Sequence, residues 1–200
     1  MLLPAYNNAE IKQLLAQNPL YVFALESEAA QEFADVNPIF VGVGKLNALY
    51  HLVKAIDKQR PGIVVNLGSA GSLTHKRGDV VCCTSFVQRD MDVTALGFQK
   101  YETPFAVHDP VLVNGLKIDG MPQATCGTGD SFVIDHNTTD YNVIDMEAYP
   151  LAWVCMQEKI PFLCLKYISD GADGAAAEDW PQMVKHAAAA LKSAIVSLQM

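Results

Sequence analysis

The chain has 200 residues, half of them hydrophobic and 18% charged, with a formal net charge of −8 at pH 7. This length and composition suit a globular protein with a sizeable core, and we expect one domain over residues 1–200. The 14 basic residues are scattered, which argues against a nucleic-acid partner. No apolar run approaches the length of a membrane span, and the N-terminus lacks a signal-peptide pattern. Five cysteines without CxxC spacing favour reduced thiols in a cytoplasmic protein.

Short apolar runs bounded by turn residues predict strands along most of the chain. They lie at residues 20–25, 39–43, 63–67, 80–86, 123–126, 143–146 and 162–168. Segments with helical spacing or helix-start signals lie around these runs. They are residues 9–17, 26–34, 46–58, 147–157 and 178–198. Residues 88–110 read as irregular, and the alternation of strands and helices predicts an α/β protein with a layered sheet.

Two acidic residues stand at the ends of predicted strands. Glu147 follows the run 143–146, and Asp170 follows the run 162–168. Because ligands of open α/β sheets bind beyond the carboxyl ends of the strands, this placement favours acid/base chemistry on a small molecule. Each residue also has a structural interpretation, since Glu147 suits the first turn of a helix and Asp170 suits a turn or cap.

Two glycine-rich segments follow predicted strands, Gly42-x-Gly44-Lys45 and Gly68-x-x-Gly71. Neither completes a dinucleotide-binding fingerprint or a P-loop, so each is either a ligand contact or a simple turn. The chain has no HxH or HExxH spacing, which argues against a zinc site. It also has no GxSxG elbow, which argues against a serine hydrolase.

Seven segments together resemble one family, in which they occur in the same order. They are Ala24-Leu25-Glu26-Ser27-Glu28, Gly42-Val43-Gly44-Lys45, Asn66-Leu67-Gly68-Ser69-Ala70-Gly71, residues 90–98, Gly129-Asp130-Ser131-Phe132-Val133, Asp145-Met146-Glu147-Ala148 and residues 168–173. The chain resembles the purine nucleoside phosphorylase/nucleosidase superfamily from about residue 20 to its last helix. Within that superfamily it looks most like the 5′-methylthioadenosine/S-adenosylhomocysteine nucleosidases. The resemblance implies a phosphorylase/hydrolase-like fold, with three αβα layers around a central mixed sheet.

The resemblance implies three catalytic acids. Asp170 matches the acid that protonates or hydrogen-bonds purine N7, and Glu147 matches the acid that binds the ribose hydroxyls. Glu28 matches the general base that orients the attacking water. This division suits N-glycosidic cleavage, which passes through a cationic sugar and needs acid assistance at the leaving base. No metal and no organic cofactor is implied.

The resemblance also implies the residues that bind the substrate. Phe132 would stack on the base, the backbone of Val133 would meet the base edge, and Met146 would pack beneath the ribose. Ser69 and Gly71 would lie near the water and the sugar. The remaining implied contacts, one beside Asp170 and three in the segment that shapes the 5′-substituent pocket, are Ser169, Val93, Leu96 and Phe98.

The arginines bear on the choice between hydrolysis and phosphorolysis. Phosphorylases of the family carry an arginine just before the glycine-rich loop, whereas this chain has only Arg60, Arg77 and Arg89, none at that position. We therefore favour hydrolysis of an adenosine-type nucleoside, with Asp170 favouring a 6-aminopurine. Similar nucleosidases suggest a homodimer. The alternatives are a phosphate-dependent phosphorylase, and a nucleoside-binding protein without catalysis.

Overall fold

A computed structural model describes residues 6–199 of the chain. Its strands are β1 (Pro19–Phe23), β2 (Ile39–Phe40), β3 (Ile63–Gly71), β4 (Val80–Gln88), β5 (Val111–Val113), β6 (Gln123–Thr128), β7 (Val143–Asp145) and β8 (Phe162–Asp170). Its α-helices are α1 (Asn8–Gln17), α2 (Glu26–Ala29), α3 (Lys45–Lys58), α4 (Ala148–Glu158) and α5 (Ala176–Gln199).

The strands form one mixed sheet, as the resemblance implied. β3 pairs in parallel with β1 and β8, and β4 pairs in parallel with β6 but antiparallel with β8. β6 and β7 are parallel, and β7 returns to β3 through one antiparallel pair. Strands β3, β8, β4, β6 and β7 therefore close into a ring, while β1 and β2 extend the sheet beside β3 and β5 borders β4.

Helices cover both faces of this sheet and confirm the three layers. Successive residues of a strand point to opposite faces, so β3 and β8 supply side chains to two separate apolar clusters. Val64 and Cys164 pack in the cluster that includes α3 and α4. Val65 and Leu165 pack in the cluster that includes α1 and α5. Because both strands are buried on both faces, their sequences are almost continuously apolar.

The glycine-rich segment after residue 67 differs from its predicted conformation. We expected a loop at residues 68–73, but β3 continues to Gly71 because β8 pairs with it along that length. The helix expected at residues 26–34 ends at Ala29, and Ala30 has a left-handed φ of 44° that stops its propagation. The strand β5 was not predicted, and it pairs with β4 over only three residues.

The last helix packs on the sheet. Ala187, Leu191 and Ile195 of α5 are buried against the apolar cluster that also contains β1 and β3 residues. Among the helices of residues 6–199, none is both long enough and apolar enough to cross a membrane.

Candidate active site

The ends of three strands meet at a cavity of about 230 Å³. Gly71, the last residue of β3, pairs with Ile144 of β7 and with Asp170 of β8, which draws these strands together. Of the twelve site residues predicted from the sequence, eight line this cavity. They are Glu28, Ser69, Gly71, Phe132, Val133, Met146, Glu147 and Asp170.

The Glu28 carboxylate is held at the wall of the cavity by three donors. Its Oε1 accepts hydrogen bonds from the backbone N–H and the hydroxyl of Ser69, both at 2.7 Å. Its Oε2 accepts a hydrogen bond from the Leu25 N–H at 3.2 Å, closing the first turn of α2. Gly68 permits this approach, because a Cβ there would lie 3.1 Å from Glu28 Oε1. The side chain is only 4% exposed, so its polar contacts are supplied by the protein.

The Glu147 carboxyl caps the turn between β2 and α3. Its Oε1 accepts a hydrogen bond of 2.8 Å from the Gly44 N–H, at the N-cap of α3. Gly44 has a φ of +92°, a conformation that favours glycine. Burial raises the pKa of Glu147 to about 8, with repulsion from Asp145 adding to the effect and Lys166 opposing it. Glu147 therefore holds a proton at a pH where an exposed glutamate has lost it.

Beneath Glu147 lies an ion pair that the sequence analysis did not identify. Lys166 Nζ lies 2.9 Å from Asp145 Oδ2, and both side chains are almost completely buried. Asp145 also accepts hydrogen bonds from the Thr128 hydroxyl at 2.6 Å and from the Ala148 N–H at 2.8 Å. Burial raises the pKa of Asp145, but Lys166 and these donors outweigh it and lower that pKa, so the pair is ionised. A lysine within the apolar run of β8 was the available signal.

Asp170 ends β8 and points into the cavity beside Gly71. Its Oδ1 accepts a hydrogen bond from the Ala172 N–H at 2.9 Å, and its Oδ2 accepts one from the Ser169 hydroxyl at 2.8 Å. Burial raises the pKa of Asp170, and these two donors partly counteract the rise. Residue 71 must be small, because a Cβ there would lie 2.6 Å from Asp170 Oδ1. The arrangement suits a group that donates a proton to a bound base or shares one with it.

A charged cluster ties the turn before α3 to the loop that carries Phe132 and Val133. The Lys45 ammonium lies 2.6 Å from Asp90 Oδ1, and the Lys45 N–H donates to Asp130 Oδ1 at 2.8 Å. The Asp130 N–H donates in turn to Asp90 Oδ2 at 3.0 Å. These bonds hold the loop next to the turn at Gly44, whose N–H donates to Glu147. Phe132 itself lines the cavity and is half exposed.

Four predicted site residues are not among the described residues that line the cavity. Ser169 is fully buried behind Asp170 and reaches the site only through its hydrogen bond to that carboxyl. Val93, Leu96 and Phe98 lie on the irregular segment after β4. Leu96 is 74% exposed, and Phe98 packs edge-on against Phe105. Their role at a 5′-substituent pocket stays a prediction.

Trp180 lines the cavity and was missed by the sequence analysis. It lies in the first turns of α5, and its Nε1–H donates a hydrogen bond of 2.9 Å to the Ser69 hydroxyl oxygen. The sequence analysis named no residue in the short, alanine-rich segment after Asp173. The available signal was an aromatic residue in that segment, ten positions after Asp170.

The arginines are engaged elsewhere. Within residues 6–199, which include all three arginines, none lines the cavity. Arg60 pairs with Glu158 on the surface, and Arg77 pairs with Asp173 and Asp179. The Arg89 guanidinium donates to the Gly129 carbonyl and to Ser131. Among the described residues, no guanidinium therefore lines the cavity, and the chemistry rests on carboxyl groups.

Comparison with known proteins identifies the family to which the chain belongs. The family model described as the phosphorylase superfamily matches residues 34–199. The 5′-methylthioadenosine/S-adenosylhomocysteine nucleosidase of Exiguobacterium sp. (strain ATCC BAA-1283 / AT1b) is 36% identical over 153 residues, covering 66% of each chain. The enzyme of that name from Geobacillus sp. (strain WCH70) is 32% identical over 191 residues, covering 83% of this chain and 82% of the relative.

Solved structures show the same fold at lower identity. The nucleosidase of that name from Neisseria meningitidis, in complex with methylthio-immucillin-A, superposes with a TM-score of 0.79 at 23% identity, covering 90% of this chain and 97% of that one. The futalosine hydrolase of Helicobacter pylori strain 26695 superposes with a TM-score of 0.81 at 17% identity, covering 92% and 97% of the two chains. The matched family model and the relatives above 30% identity together show that the chain belongs to the phosphorylase superfamily.

Proposed function

We propose that this protein is a nucleosidase that hydrolyses the N-glycosidic bond of an adenosine-type nucleoside, of the methylthioadenosine or S-adenosylhomocysteine kind, and releases adenine. The observation that carries the proposal is the meeting of Glu28, Glu147 and Asp170 at one cavity, each held by different donors. The nucleosidase relatives described above support the choice of substrate class.

The leaving base needs a proton, and Asp170 is the candidate donor. When the bond between C1′ and the base nitrogen breaks, both electrons go to the base, and a proton on or near N7 neutralises the charge that develops there. Asp170 suits this role because burial raises its pKa and because its carboxyl borders the cavity. Phe132 and Val133 would hold the purine ring against it.

The sugar and the water are assigned to the other two acids. Glu147 would accept hydrogen bonds from the ribose hydroxyls and, once ionised, would stabilise the cationic sugar, while Met146 packs beside it. Glu28 would orient a water molecule for attack on C1′ and take its proton as the new C–O bond forms. Proton flow then balances, with one proton delivered to the base and one removed from water.

Water is favoured over phosphate as the nucleophile by the electrostatics of the cavity. A phosphate dianion needs cationic or bidentate donors, which arginine supplies best. Among the described residues that line the cavity there is no arginine and no lysine, whereas four carboxyl groups are present, one of which, Asp145, is paired with the buried Lys166. A second anion beside these carboxyl groups would be repelled, and a neutral water would not.

Product analysis with and without phosphate tests the proposal. The purified protein is incubated with methylthioadenosine, S-adenosylhomocysteine or inosine in a phosphate-free buffer, and released base is separated by chromatography. We expect free adenine and a free sugar from the first two substrates at rates independent of added phosphate. Cleavage only with phosphate, yielding a sugar 1-phosphate, would establish the phosphorylase alternative. Tight nucleoside binding without any base release would establish a binding protein.

We also propose that the protein is a homodimer. Leu46, Tyr50 and Val53 follow one face of α3 and are exposed, next to Val43 at the cavity. Their spacing makes an apolar stripe that a second copy could cover. The residues Val93, Leu96 and Phe98, which do not reach the chain's own cavity, would then be available to the partner's. Sedimentation of the wild type and of Leu46→Glu tests this, with a dimer expected only for the wild type.

A further inference from the structure

We propose that Trp180 is a positioning residue for the catalytic water, acting through the Ser69 hydroxyl on Glu28. The three groups form a directed chain: Trp180 Nε1 lies 2.9 Å from Ser69 Oγ, which lies 2.7 Å from Glu28 Oε1. All three residues line the cavity. The inference rests on the proposed function in that it assigns the base role to Glu28.

The direction of this chain follows from the chemistry of its members. An indole N–H can only donate, and a carboxylate can only accept. The Ser69 hydroxyl has one proton and must therefore accept from Trp180 and donate to Glu28. A hydroxyl that already accepts a hydrogen bond is a stronger donor, so the indole strengthens the hold on Glu28.

The same geometry identifies the oxygen of Glu28 that is left for water. Oε1 receives two donors, the Ser69 N–H and the Ser69 hydroxyl, each at 2.7 Å. Oε2 receives one longer bond of 3.2 Å from the Leu25 N–H. Since a carboxylate oxygen has two lone-pair directions, Oε2 keeps one for the water proton. Trp180 thus helps to hold Oε1 against Ser69 and leaves the free lone pair of Oε2 for water.

The kinetic test removes the donor and keeps the ring. In Trp180→Phe the aromatic wall is retained but the N–H is lost, and kcat should fall about fivefold while KM changes less than twofold. Trp153→Phe is the matched control, because Trp153 lies in α4, packs partly buried against an apolar cluster and does not line the cavity. The control should keep the wild-type kcat and KM. Equal losses in both variants, or a wild-type kcat in Trp180→Phe, would overturn the inference.

A spectroscopic test works without turnover. In the Trp153→Phe background Trp180 is the only tryptophan, so its indole N–H gives one cross-peak in a ¹H–¹⁵N spectrum. Ser69→Ala and Glu28→Gln should each move that proton resonance upfield, the second because the Ser69 hydroxyl transmits the change. An indole resonance that moves in neither variant contradicts the chain of hydrogen bonds. If the wild type releases no adenine, the proposed function fails while this spectrum still decides whether the chain exists.

Discussion

Replacing Glu147 with glutamine should make the stability of the protein less dependent on pH. Burial, with repulsion from Asp145, raises the pKa of Glu147 from 4.5 to about 8. The folded protein therefore keeps a proton that the unfolded chain releases between these values, and the wild type loses stability as the pH rises through that window. Above pH 8 both states are ionised and the loss is complete.

The size of this effect follows from the same two values. One pKa unit corresponds to about 1.4 kcal/mol, so the full loss from pH 4.5 to pH 8 is at most about 5 kcal/mol. Because the charges of Asp145 and Lys166 act on Glu147 in opposite directions, we expect a measured change of a few kcal/mol. Glu147→Gln carries no titrating proton, and its stability relative to the wild type should rise from pH 5 to pH 8 and level off by pH 9.

Urea unfolding at one-unit pH intervals from 5 to 9 measures this difference. The control is Asp35→Asn, an exposed carboxyl whose pKa is lowered by its hydrogen bond from Lys192. Because a lowered carboxyl pKa affects stability only in acid, the difference between this variant and the wild type should be constant across the range. A Glu147→Gln difference that is equally constant would refute a raised pKa at Glu147.

Three further substitutions test the site. Asp170→Asn should lower kcat about 10²–10⁴-fold in an adenine-release assay. The control Asp173→Asn changes an exposed neighbour and should keep a kcat near that of the wild type. Equal rates in the two variants would remove Asp170 from the mechanism. Gly71→Ala places a Cβ 2.6 Å from Asp170 Oδ1 and should lower the free energy of unfolding by about 1–3 kcal/mol, measured by thermal unfolding. The variant should also lose most activity. A wild-type melting curve would contradict that contact. Asp130→Ala removes the acceptor of the Lys45 N–H at the start of α3 and should lower the free energy of unfolding by about 0.5–2 kcal/mol. It should also raise KM several-fold. An unchanged KM would show that this cluster does not contribute to nucleoside binding.

The strands and helices were predictable where the sequence pattern is local. Helix α3 was expected at residues 46–58 and spans Lys45–Lys58, and β8 was expected at 162–168 and spans Phe162–Asp170. The prediction for residues 68–71 was wrong because glycine favours a turn, whereas pairing with β8 makes this segment part of a strand. The short edge strand Val111–Val113 was not predicted, because three residues after a proline carry no periodic signal.

Parts of the site were hidden for a different reason, since they depend on contacts between distant segments. Trp180 meets Ser69 across 111 positions of the chain, and no local pattern specifies that hydrogen bond. Lys166 meets Asp145 because β3, β8, β4, β6 and β7 close into a ring, which strand prediction alone does not reveal. Buried ion pairs of this kind are recognisable in a sequence only as a charge within an apolar run.

The order of the sequence motifs has a physical explanation in how the three acids are held. Each carboxyl accepts at least one backbone N–H, and two of these four donors, Ser69 and Gly44, belong to a different motif from the acid. The N–H groups of Leu25 and Ser69 donate to Glu28. The Gly44 N–H donates to Glu147, and the Ala172 N–H donates to Asp170. A side-chain substitution cannot replace a backbone donor, so these motifs must retain the backbone path and the small residues that allow close approach. Of residues 90–98, Asp90 bonds to Lys45 and Asp130 beside the Gly44 turn, whereas Val93, Leu96 and Phe98 are not among the described residues that line the cavity.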